Sequence, residues 1–137
     1  MRVFDTKVAL VLRDDLALWQ KLNVTAFLTS GIVGGKDALI GEPYEDAAGN
    51  SYNPLLIQPV IVLSSDAAGM KKIYERALSR DVRMSLYIED MFSTGHDAAN
   101  RATVKNHSPE DMPVVGIAVR DEKKLVDKIT KGAKLQS

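Results

Sequence analysis

Two histidines, His96 and His107, and no cysteine bound the chemistry open to this chain. Thiolate nucleophiles, disulfides and thiolate metal sites are excluded. His96 stands beside Asp97, a pair that can carry a proton. No His-x-x-His or Glu-x-x-His spacing accompanies it, so a metal would need carboxylates to complete its shell, and neither metal nor cofactor is expected. Asn100 and Arg101 follow shortly after and could clamp a phosphate or carboxylate, Arg101 through its bidentate fork, although a solvated helix face is the commoner explanation. Asp90, next to Glu89, could accept a proton or position a water, or cap a helix. Thr94 could bond a substrate carbonyl or phosphate, or cap the helix after it. Lys21 lies early in a helix, where the macrodipole disfavours a cation; it could bind an anion, pair with Asp90, or be solvated. Arg13 and Asp15 could pair with each other, cap the helix or face a ligand.

Three other motifs fail on inspection. The run Gly31-Ile-Val-Gly-Gly-Lys36-Asp has mis-spaced glycines, lacks Ser or Thr after Lys36, and follows a helix where a phosphate loop follows a strand. Asp46-Ala-Ala-Gly-Asn50 lacks the alternating ligands of a calcium loop and reads as a turn. No Gly-x-Ser-x-Gly elbow is present.

The elements that must position these residues follow from periodicity and punctuation. Residues 6–12 form a short apolar β-rich run. A helix over about 16–30 follows, capped by Asp14 or Asp15 and ended by Gly31. Leu16, Trp19, Asn23, Ala26, Phe27 and Ser30 share one stripe of it, and Leu18, Leu22 and Leu28 on other faces predict burial on more than one side. A turn-rich stretch gives an irregular hairpin around Asp46 to Asn50. A second buried strand ends at Ser64 and Ser65. The stripe Met70, Ile73, Tyr74, Ala77 and Leu78 marks a helix over 66–79. A strand over 83–88, a short helix over 97–104, a strand over 113–119 and a closing helix over 122–130, capped by Asp121 and stopped by Gly132, complete the order.

This alternation predicts a three-layer α/β/α sandwich on a small mixed, mostly parallel sheet of about four strands. One domain over 1–137 suits the length. In such sheets ligands gather at the carboxyl ends of strands. There the chain supplies Arg13, Asp14, Asp15 and Lys21 after the first strand, Ser64 and Ser65 after the second, and Asp90, Thr94 and His96 after the third.

Apolar content of 45% and charged content of 26% are ordinary for a globular protein. The N-terminus reads as a strand and not as a secretory signal, and no apolar run approaches the ~20 residues that span a membrane, so a cytoplasmic protein is expected. Eighteen basic and eighteen acidic residues cancel. A nucleic-acid binder usually carries a basic excess, so a tRNA substrate loses weight.

Several runs nevertheless share their order with one known family. Residues 8–27, VALVLRDDLALWQKLNVTAF, resemble the opening strand, Arg-x-Asp-Leu turn and helix of the type II peptidyl-tRNA hydrolases. Residues 113–135 resemble that family's last strand and closing helix, and Asp90-Met91-Phe92-Ser93-Thr94 keeps the spacing of its Asp-x-x-x-Thr motif. Only Gly34 to Asn53 and Gly95 to Met112 fall outside the likeness. It implies a divergent, uncharacterised bacterial branch of that fold, with Lys21, Asp90 and Thr94 as the residues to which catalysis could carry over. Departures limit it. Lys21 aligns only across a one-residue deletion; Thr25 and Leu28 stand where the family has Gln and His; Met91-Phe92 replaces Ala-Gly; about a dozen residues are added after Thr94.

Three functions follow as expectations. The first is hydrolysis of an ester such as peptidyl-tRNA, with Lys21 stabilising negative charge, Asp90 orienting water and Thr94 holding the ester. The second is a binding or regulatory module that takes a small anionic ligand in the same cleft, walled by Trp19, Phe92 and Tyr44. The third is a homodimeric scaffold. Lysines and arginines clustered at the cleft would favour tRNA, and an enclosed pocket with one or two cations a small ligand.

Overall fold

A computed structural model describes residues 4–137. Its centre is β1 (Thr6–Arg13), whose side chains alternate between two buried faces. Ala9 and Val11 join a core with α2 (Ala67–Ser79) and α4 (Lys123–Ile129), whereas Val8, Leu10 and Leu12 join a second core beneath α1 (Leu18–Val33). The helices therefore do lie on both faces. A strand buried on both sides must be apolar throughout, and residues 8–12, VALVL, are.

The sheet departs from expectation in strand number and direction. It holds five strands, ordered β5 (Met84–Ile88), β6 (Val114–Glu122), β1, β4 (Val60–Ser65) and β7 (Lys134–Leu135). Only β1 and β4 pair in parallel; β1–β6, β5–β6 and β4–β7 are antiparallel. The sheet is mixed, and the expected parallel majority is wrong. The cause lies in residues 89–113. Ile88 pairs with Val114, and the Glu89 N–H donates to the Pro113 carbonyl at 2.9 Å, so this segment leaves and re-enters at one end of the sheet. Its helix α3 (Asp97–Lys105) is an excursion, not a crossover, and β6 must return antiparallel between β5 and β1. A separate two-stranded hairpin, β2 (Tyr44–Glu45) and β3 (Ser51–Tyr52), forms around the predicted turn.

Helix ends differ in instructive ways. Asp66 caps α2 as an Asp should, accepting the Gly69 N–H at 2.8 Å. Neither Asp14 nor Asp15 caps α1, because the helix starts only at Leu18 with Ala17 at the N-cap position, and Arg13 holds the Asp15 carboxylate at 2.6 Å. Instead the Gln20 side chain accepts the Ala17 N–H at 2.9 Å. The helix then runs through Gly31 to Val33, since Gly31 keeps helical backbone and its bare Cα faces Ser85 of β5. Asp121 accepts the N–H of Glu122, and α4 begins one residue later than expected.

The orientation of α1 also corrects the predicted stripe. Val24, Leu28 and Ile32 face the sheet, and Trp19 and Phe27 lie on an exposed side with Leu18 and Leu22. Apolar residues surround this helix, so periodicity could not choose its buried face. The contact at Gly116 of β6 does choose it: an added Cβ there would lie 2.6 Å from Val24 Cγ1 and 3.0 Å from Leu28 Cδ1.

Candidate ligand-binding site

Because β6 separates β5 from β1, and both pairings are antiparallel, β1, β4 and β5 run the same way and present their carboxyl ends at one rim. Arg13 Nε donates to Asp15 Oδ1 at 2.6 Å and Nη1 to Glu89 Oε2 at 3.1 Å, tying β1 to the end of β5. Partial burial works against the Arg13 charge, but its bonds to Asp15 and Glu89 outweigh this and hold the pKa above the ordinary value. Arg13 and Asp15 are thus occupied with each other.

Beside this rim α1 and the start of the excursion border a half-open cavity of about 310 Å³. Trp19 and Phe27 reach it from α1, Tyr87 from β5 and Phe92 from the 3-10 turn Glu89–Ser93. The rings pack as a chain: Trp19 meets Phe92 edge-on at 6.0 Å, Phe92 meets Tyr87 at 5.2 Å, and Tyr87 meets Phe27 at 6.0 Å. Burial pushes the Tyr87 phenol up, so it stays protonated throughout the physiological range.

The opposite wall is polar. Thr94 Oγ1 donates to the Met91 carbonyl at 3.0 Å and pairs with the side-chain amide of Asn100. This fixes Asn100, on the first turns of α3, at the lining. His96 caps α3 through Nδ1, which accepts the Ala99 N–H at 3.2 Å and is therefore the unprotonated ring nitrogen. The cap is accordingly His96, not Thr94. Its other ring nitrogen carries the proton in the neutral form. Asn23 of α1 adds a fourth polar side chain. Among the described residues no Lys or Arg lines this cavity, and Asp97 is its one acidic neighbour.

Thr94, His96 and Asn100 are therefore brought together, with Trp19 and Phe92 as expected for an aromatic wall. Tyr44 is not there; it belongs to the hairpin and lines a wide, open depression of about 670 Å³ whose one charged side chain is Glu42. Asp90 lies outside the cavity lining, where its Oδ2 meets His107 Nε2 at 3.2 Å, and His107 Nδ1 lies 3.8 Å from Asp111. This links the two ends of the excursion. Lys21 is half-buried on α1, and its ammonium meets no partner among the described residues; the anticipated bond to Asp90 is not made. Arg101 points to solvent and pairs with Asp97 one turn earlier. Among the described residues, no group of three His, Asp or Glu is arranged to hold a metal ion.

Phe27, Tyr87 and Asn23 were not anticipated together as site residues. Asn23 and Phe27 do share one predicted stripe with Trp19, and that spacing was the available signal; read as a buried face, it is the face that walls the cavity.

The fold and site together describe a mixed α/β protein with a ligand-sized aromatic cavity beside the rim of its sheet. Within that class the chain belongs to the DUF2000 family, described as a protein of unknown function, whose family model matches residues 6–137. It is similar to a solved structure from Agrobacterium tumefaciens strain C58, the protein of unknown function Atu0240, with 61% identity and a TM-score of 0.96. The match covers 98% of this chain and 100% of that one. No curated protein matches the chain. Neither finding connects it to the peptidyl-tRNA hydrolases. No helix among the described residues is long and apolar enough to cross a membrane.

Proposed function

We propose that the protein is a binding module that takes a small, planar, uncharged ligand into the aromatic cavity and does not turn it over. One observation carries this reading: four rings from three elements converge on the same space as the Thr94–Asn100 pair. A flat apolar body gains from the rings, and one or two hydrogen-bonding atoms gain from Asn100, Asn23 and His96. The volume of about 310 Å³ sits at the small end of ligand pockets and suits a one- or two-ring molecule. Among the described residues the lining has no Lys or Arg, which argues against a carboxylate or tRNA at this cavity, since none of them supplies a fixed cation to offset desolvation.

The competing reading is ester hydrolysis at Lys21, Asp90 and Thr94. Against it, Asp90 is taken by His107, Thr94 by Met91 and Asn100, and Lys21 meets neither.

Trp19 is the sole tryptophan and lines the cavity, so its fluorescence reports occupancy. Titration with benzamide or adenine is expected to give a saturable change, weaker for benzoate and lost in Phe92→Ala and Asn100→Ala. A panel of such probes that leaves Trp19 unchanged, or binds both variants as well as the parent, would defeat the reading.

A further inference from the structure

A second cavity, of about 380 Å³, opens on the other side of the rim, where the carboxyl end of β4 meets α2 and the chain between α4 and β7. Four cations line it: Lys72 and Arg76 from α2, Lys131 after α4, and Lys134 from β7. Two carboxylates, Asp14 and Asp66, oppose them, leaving a net excess of two positive charges in a chain whose total charge is zero. Arg76 is committed, since its Nη1 donates to the carbonyls of Ile129 (3.2 Å) and Lys131 (2.8 Å) and so holds the Lys131 segment in place. The three lysines form no ion pair among the described residues.

Two serines complete the lining. Ser64 and Ser65 are half-buried, and neither hydroxyl finds a hydrogen-bond partner among the described residues. The Ser65 hydroxyl occupies space that only glycine at position 69 leaves open, because a Cβ there would lie 2.0 Å from Ser65 Oγ. The end of α2 is not the source of attraction, as Asp66 already takes the Gly69 N–H. What remains is a hollow with three ammonium groups that lack an ion-pair partner and two free hydroxyl donors among the described residues, one of them set by its neighbour's missing side chain.

From this we infer that the cavity binds the phosphoryl group of a small molecule, at a site separate from the aromatic cavity. Lysine suits a tetrahedral dianion better than a planar carboxylate, because it acts as a point charge without a directional fork. Serine hydroxyls supply the short, directional donors that an excess of charge alone lacks. The volume leaves room beyond a bare phosphate for the group that carries it.

The test uses the full chain with inorganic phosphate, followed by backbone amide NMR at constant ionic strength. Saturable shifts are expected at residues 64–69 and 131–134, with affinity lowered at least tenfold in Lys72→Gln/Lys134→Gln and severalfold in Ser65→Ala. Asp14→Asn is expected to bind more tightly, since it removes an opposing charge. These side chains are exposed or half-buried, so each variant is first checked for an unchanged amide spectrum elsewhere. Gly69→Ala provides a second route, turning the Ser65 hydroxyl aside without altering charge. Shifts that fail to saturate by tens of millimolar phosphate, that spread over all lysines, or that survive in the lysine double variant would overturn the site. Acetate binding as tightly as phosphate would overturn the phosphoryl assignment.

Discussion

Replacing Gly116 with alanine should push α1 off the sheet and destabilise the protein by about 0.5–2 kcal/mol. The new Cβ would lie 2.6 Å from Val24 Cγ1 and 3.0 Å from Leu28 Cδ1, against an optimal carbon–carbon separation of roughly 3.5–4.0 Å. The overlap with Val24 is about 1 Å, and Gly116, Val24 and Leu28 are all buried, so no side chain can swing into solvent to relieve it. Overpacking of this kind costs about 1–3 kcal/mol. Alanine recovers about 0.5–1 kcal/mol by restricting the unfolded chain relative to glycine in a strand, which sets the net figure. Urea unfolding followed by Trp19 fluorescence should show a lower midpoint with an unchanged slope. The double variant Gly116→Ala/Val24→Ala should be more stable than the sum of its parts, because the second change removes the atom that clashes. Since α1 carries Trp19, Asn23 and Phe27, the single variant should also weaken ligand binding at the aromatic cavity. Parental stability in Gly116→Ala, or strict additivity in the double variant, would refute the packing of α1 on β6.

The hairpin offers a pH test. Asp46 accepts from the Asn50 side chain, the Tyr52 hydroxyl and the Asn50 and Ala48 N–H groups, and its pKa falls from 3.8 to about 2. A depressed carboxyl contributes order that is complete above about pH 4 and is lost as pH falls through about 2; the Ala48 and Asn50 amides should shift across that window, and a transition near pH 4 or above would contradict the bonding. In Tyr52→Phe the midpoint should move up toward 3.8, as one of the bonds that holds the carboxylate is gone. A peptidyl-tRNA substrate should not be hydrolysed above background by the parent protein or by Lys21→Ala and Asp90→Ala; turnover that collapses by two or more orders of magnitude in both variants would reinstate the hydrolase reading.

Local punctuation carried much of the fold. The apolar run of β1, the α2 stripe and the turn at Asp46–Asn50 each depend on neighbours in sequence, and each formed near its predicted place. Strand direction depends on where residues 89–113 re-enter the sheet, fixed by the Glu89–Pro113 bond and the Ile88–Val114 pairing, which no periodicity encodes. The buried face of α1 was equally hidden, because a helix with Lys21 as its single charge is apolar on every side and Gly116 decides which side lies inward. The cavity was half legible for the same reason. Thr94, His96 and Asn100 could be read from their position after the third strand, but Phe27 and Tyr87 reach it only through the packing of α1 against β5.

The most direct test of the account is to follow backbone amides and the Trp19 indole N–H by NMR while benzamide is added. Binding in the aromatic cavity predicts saturable shifts at Trp19, Asn23, Phe92, Thr94 and Asn100, abolished in Phe92→Ala and absent from residues 64–69. Shifts confined to the 670 Å³ depression beside the hairpin, or no saturation for this and the other uncharged ring probes, would contradict it.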